Sequence, residues 1–246
     1  MSASKSKTAL VTGANRGIGY EVSRQLLQKG INVCLGCRDL KEGEAAKVRL
    51  HQETGSMPHL LELDVTRNDH IEKAREYIDS NFNGLDILIN NAAVFLDPPS
   101  NGPNDLGDRS VLRAKPETIL QTFHVNTLGP LALMQAFVPG MKERNYGRIV
   151  NVSSGDGQLS DMNGGKPAYR LSKVSLNALT RIFADELKGT NVLVNSVCPG
   201  WVKTRMGGPS AKREVSTAVG TIIWLALLEG HGPQGGFFRD FKPLAW

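Results

Sequence analysis

The chain has 246 residues, 40% hydrophobic and 22% charged, an ordinary globular composition and enough for one large α/β domain with a buried core. Three cysteines exclude a disulfide framework and favour a reducing compartment, and a net charge of +5 from dispersed Lys and Arg gives no support for a nucleic-acid surface. The polar start MSASKSK has no apolar segment behind it, and the longest apolar run, TIIWLALL from Thr221, is too short to span a bilayer. The expectation is a cytoplasmic protein with neither a membrane nor a nucleic acid as partner.

In chain order, short β-branched runs alternate with longer amphipathic segments. Residues 8–13 (TALVTG) read as a buried strand and 17–30 as a helix closed by glycine. Residues 32–37 (NVCLGC) are a second strand, followed by a helix from 40 to about 53. Residues 59–65 (HLLELDV) are a third strand, 68–82 a helix and 85–92 (LDILINNA) a fourth strand. Residues 116 to about 144 are helical with an irregularity at Gly129–Pro130, because proline removes a helix donor. Residues 147–154 (GRIVNVSS) are a fifth strand, 167–188 a long helix and 191–197 (NVLVNSV) a sixth strand. A final helix at 214–228 and a last short strand, GGFF from Gly235, complete the chain. This alternation predicts a single doubly wound (Rossmann) α/β domain over 1–246, with a parallel sheet of about seven strands and helices on both faces.

Two segments break the rhythm, 96–115, rich in Pro, Gly, Asn and Asp, and 199–213. Ligands of open parallel sheets bind beyond the carboxyl ends of the strands, so the loops near 94–115 and 199–213 are expected to form the substrate mouth.

The first strand runs into TGANRGIG, which places Gly13, Gly17 and Gly19 in a turn before a helix. Glycines there allow a close backbone approach, and the helix start offers oriented N–H groups to a pyrophosphate. A plain tight turn would use the same residues; the position directly after the first strand favours the nucleotide. The spacing G-x-x-x-G-x-G also differs from the common dinucleotide fingerprint. At the end of the second strand, where an acid would read the ribose of NAD, stand the neutral Cys37 and then Arg38. Arg16 and Arg38 are an expected clamp for the 2′-phosphate of NADPH/NADP+, the alternative being two solvated arginines. Cys34 and Cys37 are three apart on a strand and point to opposite faces, so they form neither a redox pair nor a metal site. No other His or Cys spacing suits a metal, and none is expected.

In PAYRLSK, Tyr169 and Lys173 stand at i, i+4 on a helix opened by Pro167, while Ser153 and Ser154 end the fifth strand at the same sheet edge as the glycine turn. An ammonium near a phenol lowers its pKa toward working pH, which makes a Tyr/Lys pair an acid/base catalyst, and a serine beside it hydrogen-bonds a developing alkoxide. Y-x-x-x-K alone occurs in many structural helices; its coincidence with the turn and the serines gives it weight.

Over nearly its whole length the sequence resembles the short-chain dehydrogenase/reductase family. The resemblance rests on TGANRGIG, NNAA (90–93), NVSS, YRLSK and CPGWVKT (198–204), and the LGCRD and CPGWVKTRMGGP stretches are most similar to NADPH-dependent carbonyl reductases. It implies that Tyr169 protonates the substrate oxygen, Lys173 lowers its pKa and holds the nicotinamide ribose, and Ser154, rather than Ser153, polarises the carbonyl. Asn126 would hold a water in the proton relay. The implied cofactor residues are Gly13, Asn15, Arg16, Gly17, Ile18, Gly19 and Arg38 at the phosphates, and Asp64 and Val65 at the adenine. Asn91 and Ala92 lie on the ribose side, and Pro199, Gly200, Val202 and Thr204 at the nicotinamide. The implied activity is reduction of a small-molecule aldehyde or ketone, with a 3-oxoacyl-thioester or steroid-type reductase, or a non-catalytic NADP-binding protein, as alternatives.

The sequence departs from the family pattern in having Ala93 where glycine is usual and an interval from Ser154 to Tyr169 about two residues longer than common. It lacks the long insertion there of monomeric animal carbonyl reductases, which implies a homodimer or homotetramer. Cys198 is expected to be a buried structural cysteine.

Overall fold

Runs such as TALVT and VLVNSV are buried on both faces, which is why they read as continuous apolar stretches rather than alternating ones. In the computed structural model, which describes residues 6–99, 106–230 and 232–246, these runs form one eight-stranded sheet. The strands are β1 (Thr8–Thr12), β2 (Asn32–Cys37), β3 (His59–Glu62), β4 (Ile87–Asn90), β5 (Gly147–Val152), β6 (Val192–Val197), β7 (Phe237–Arg239) and β8 (Lys242–Pro243), in the order β3-β2-β1-β4-β5-β6-β7-β8. All neighbours pair parallel except β7 and β8. The order reverses between β1 and β4, which opens a crevice at their carboxyl ends.

The helices are α1 (Gly17–Gln28), α2 (Leu40–Thr54), α3 (Asn68–Asn81), α4 (Pro116–Phe123), α5 (Gly129–Glu143), α6 (Pro167–Glu186), α7 (Val215–Ala218) and α8 (Gly220–Ala226). One core lies between the sheet and α1 and α8, around Val11, Val22, Leu26, Leu35 and Ile222. The other lies between the opposite face and α3 and α5, around Leu10, Ile71, Ile78, Leu88 and Met134. Strand alternation divides the cysteines accordingly: Cys37 belongs to the first core and Cys34 to the second.

Three details differ from the expectation of about seven strands and regular helices. The eighth strand returns on β7 through Asp240 and Phe241, both at positive φ (51° and 63°), as a two-residue hairpin turn requires. The final helix is two pieces, α7 and α8, separated at Val219. The irregularity expected at Gly129–Pro130 is a π turn over His124–Leu128, immediately before them. Of the expected 96–115 loop, residues 100–105 lie outside the described residues, as do residues 1–5 of the polar start; two short 3-10 turns, Gly107–Arg109 and Val111–Arg113, occupy much of the rest.

Candidate active site

The turn after β1 sits at the crevice. Gly13 and Gly17 adopt φ of +64° and +55°, the left-handed region that glycine enters without strain. A Cβ on Gly19 would lie 2.4 Å from the Gly13 carbonyl and 2.6 Å from Asn91 Nδ2, so no side chain fits there. Across the crevice, a Cβ on Gly17 would meet Thr204 Cγ2 at 3.2 Å, which places the loop after β6 directly opposite the turn. No side chain caps the start of α1, and its first turn contains no acid, leaving this helix end suited to a phosphate. Asn91 and Ala92 brace the turn: Asn91 Nδ2 donates to the Thr12 carbonyl (2.8 Å), and both backbone N–H groups donate to Thr12 Oγ1 (3.0 and 2.9 Å).

At the end of β2, Cys37 is buried and Arg38 exposed. Burial pushes the Cys34 and Cys37 thiols up to about 12 and about 11, which makes both inert at neutral pH. Among the described residues no cluster of His, Cys, Asp and Glu suits a metal ion. Arg16 Nη1 lies 2.7 Å from Glu42 Oε2, which also accepts from Asn15 Nδ2. Glu42 was not expected at the site; its place in the first turn of α2, which Asp39 caps, swings it toward the glycine turn. Asp64 accepts from Thr66 N (3.0 Å) and Oγ1 (2.7 Å). Burial raises this carboxyl, but the Thr66 hydrogen bonds and the nearby Arg38 charge outweigh it, and the net direction is down. Val65 is buried against Gly129, where a Cβ would approach its Cγ2 to 2.8 Å.

Ser154, Tyr169 and Lys173 come together where β5 meets α6. Ser154 hydrogen-bonds the Tyr169 side chain, whereas Ser153 is turned into the protein and reaches the Lys173 carbonyl at 3.5 Å. The Lys173 ammonium is buried, donates to the Val152 carbonyl (2.8 Å) and lies 5.6 Å from the Tyr169 ring centroid. Burial depresses it to about 8. The phenol is pushed up rather than down: burial dominates, the Asp156 charge adds to it, and the Ser154 hydrogen bond only partly offsets them. The lowering of the phenol by Lys173 that the resemblance implies is therefore not a property of the chain alone. Asp156 is held by Lys166 (3.0 Å) and Arg170 (3.1 Å).

Asn126 lies in the π turn with its side chain fully engaged. Oδ1 accepts from Val94 N (2.8 Å), and Nδ2 donates to the Val94 carbonyl (2.9 Å) and Ser172 Oγ (3.0 Å). Ser172 Oγ in turn donates to the Tyr169 carbonyl (2.7 Å). A helix residue's carbonyl normally accepts from the residue four ahead; for Asn126 that is Pro130, which has no N–H.

Pro199, Gly200, Val202 and Thr204 follow β6, with Gly200 at φ +79° and Val202 bridged to Arg213. The buried Cys198 sulfur accepts from Gly155 N (3.0 Å), Gly200 N (3.4 Å) and Arg239 Nη2 (3.0 Å) and so ties this loop to the one after Ser154. Sequence reasoning missed Phe95 and Asp97 in the loop after β4. The Phe95 ring lies 5.1 Å from that of Tyr169, and the Asp97 carboxylate accepts from Ala168 N (3.0 Å) and Tyr169 N (2.9 Å).

A glycine turn at the switch point and a Ser–Tyr–Lys cluster on the same sheet edge define a doubly wound oxidoreductase. The short chain dehydrogenase profile matches residues 7–215, and the chain belongs to that family. It is 29% identical to carbonyl reductase [NADPH] 1 of Sus scrofa, over 99% of this chain and 95% of that one. It is 32% identical to (-)-isopiperitenone reductase of Mentha piperita, over 96% and 97%. Its fold is similar to the NADPH-bound carbonyl reductase from chicken fatty liver, with a TM-score of 0.84, 28% identity and coverage of 98% or more of both chains (99% of this one, 100% of that one).

Proposed function

We propose that this chain reduces aldehydes or ketones to alcohols with NADPH, with Tyr169 as general acid/base. The observation that carries the reading is the meeting of Ser154, Tyr169 and Lys173 beside an uncapped, acid-free helix start. The cofactor's name in the relatives supports NADPH, as do the neutral Cys37 and the exposed Arg16 and Arg38.

When bound, the cofactor supplies a hydride to the carbonyl carbon. Gly13, Asn15, Gly17, Ile18 and Gly19 would hold its pyrophosphate side, Arg16 and Arg38 the 2′-phosphate, and Asp64 and Val65 the adenine. Asn91, Ala92 and Lys173 would hold ribose, and Pro199, Gly200, Val202 and Thr204 the nicotinamide. Ser154 donates a hydrogen bond to the substrate oxygen, and Tyr169 delivers the proton to it. A phenol raised by burial keeps its proton at neutral pH, so it is loaded as an acid for reduction. Asn126 would hold a water in the proton relay.

The loops near 94–115 and 199–213 form the substrate mouth in this reading. Phe95 beside Tyr169, with exposed Trp201 and Met206, favours a small apolar or aromatic carbonyl. Arg109 stacks on Phe95, and Arg113 pairs with Asp108 at the exposed surface. Exposed Leu120 on α4 and Leu171 and Ile182 on α6, helices packed on each other, support a homodimer or homotetramer, measurable by light scattering. A reducing compartment such as the cytoplasm suits three free thiols; no helix among the described residues is long and apolar enough to cross a membrane.

The test is a panel of aldehydes and ketones with NADPH and NADH. Tyr169→Phe is expected to reduce turnover by roughly 10³-fold while NADPH binding stays within about 2-fold, since only the transferred proton is lost. Failure of the native protein to oxidise NADPH with any carbonyl refutes the enzyme reading.

A further inference from the structure

Helix α6 carries both Tyr169 and Lys173, and its start is unusual. Gly165 and Lys166 enter it at φ of +78° and +53°, and Lys166, in the capping position, makes no capping bond. Its side chain is a donor and reaches Asp156 instead. Pro167, the first helical residue, has no N–H, so the donors left without helical partners are those of Ala168 and Tyr169. Both are accepted by Asp97, a buried carboxylate about 70 residues upstream (|i−j| of 71 and 72) in the loop after β4. The cap of this helix is thus supplied from another part of the chain, and its second anchor is the backbone of Tyr169 itself.

The same short stretch grips the site at three points. Val94 is bonded in both directions to the Asn126 side chain, Phe95 packs its ring on Tyr169, and Asp97 holds the Tyr169 backbone. Asn126 closes the circuit through Ser172 to the Tyr169 carbonyl. We propose that Asp97 is a positioning residue for the reaction: it fixes the height of α6, and hence of the Tyr169 phenol against Ser154, from the substrate side of the crevice. This rests on the reading of Tyr169 as the proton donor. Two charge-assisted bonds at a helix start hold it firmly, and a displacement of about 1 Å at reacting groups lowers turnover by ~10²-fold.

The experiment compares Asp97→Ala, Asp97→Asn and Tyr169→Phe, using NADPH with para-nitrobenzaldehyde and checking folding by circular dichroism. Asp97→Ala is expected to lower kcat ~10²-fold while the NADPH dissociation constant, read by fluorescence quenching, stays within about 2-fold. Asp97→Asn keeps one acceptor oxygen and is expected to recover part of kcat, at ~10-fold below the native protein. A kcat for Asp97→Ala within about 2-fold of native, or a loss of NADPH binding parallel to the loss of kcat, overturns the proposal. If Asp97→Ala does not fold, Asp97→Asn decides alone, and native kcat there overturns it. If Tyr169→Phe retains native turnover, the reading of Tyr169 itself fails; if it is inactive while Asp97→Ala is fully active, only the role of Asp97 falls.

Discussion

Replacing Lys173 with methionine is expected to stabilise the fold while removing its activity. Lys173 is 2% exposed, and among the described residues its one hydrogen-bond acceptor is the Val152 carbonyl. Burial moves its pKa from 10.5 to about 8, and at about 1.4 kcal/mol per pH unit the ammonium destabilises the native state by ~3 kcal/mol at pH 7. Methionine fills nearly the same volume without charge, but leaves the Val152 carbonyl short of a partner, which costs about 1–2 kcal/mol. The net gain is ~1–2 kcal/mol, or ~3–6 °C in Tm for a chain of this size.

The pH dependence separates this from a generic packing effect. Between the folded value of about 8 and the unfolded 10.5, the unfolded lysine binds a proton that the folded one has released, so native stability rises with pH across that window. The benefit of Lys173→Met is therefore full below about pH 7, and by pH ~10 it is gone or reversed, because the cost at the Val152 carbonyl remains. Urea unfolding of both proteins at pH 7 and pH ~10 measures it. A variant less stable than native at pH 7, or a difference that is the same at both pH values, refutes the argument that a buried ammonium destabilises this site. The proposed acid/base role requires NADPH-dependent turnover to fall by about 10²–10³-fold in the same variant.

At the cofactor end, Arg38→Asp is expected to shift the NADPH/NADH ratio of kcat/KM by ~10²-fold toward NADH, and an unchanged ratio removes Arg38 from the phosphate clamp. Glu42→Gln frees Arg16 from an exposed pair that is worth little, so NADPH affinity should rise by only ~2–5-fold, measured by calorimetry; weaker binding would show that Glu42 aids the cofactor. Asp156 raises the Tyr169 phenol, so Asp156→Asn lowers it and leaves Lys166 and Arg170 to act in the same direction. In the alcohol-oxidising direction, where the phenolate is the useful form, the rate rises with pH as the phenol ionises, and that ascending limb should move to lower pH; no movement, or movement upward, refutes the charge coupling.

The layers and most element bounds are legible in the sequence because the central strands are buried, mostly apolar runs and the long helices alternate with them, so local pattern and tertiary burial agree. The eighth strand escapes that logic: Asp240–Phe241 takes the paired positive-φ turn that Asp-Gly would announce, and the side chain at the second position hides it. Asp97 escapes it differently. A helix cap is sought just before the helix, and here Gly165–Lys166–Pro167 excludes a local cap by chemistry: one residue has no side chain, the next offers only a donor, and the third has no N–H to cap. That triplet was itself a signal, since a buried helix start without a local acceptor requires a distant one. Pro130 is the companion case. Reading it as a local irregularity places the disturbance at residues 129–130, whereas the bond it deletes belongs to the carbonyl four residues earlier, that of Asn126. The π turn lies before the proline, not where the proline stands, and π turns recur at functional sites. Within that turn Val94 and Ser172 hold both ends of the Asn126 side-chain amide, and Ser172 carries the tie on to α6, so the irregular turn is pinned to the helix that bears Tyr169.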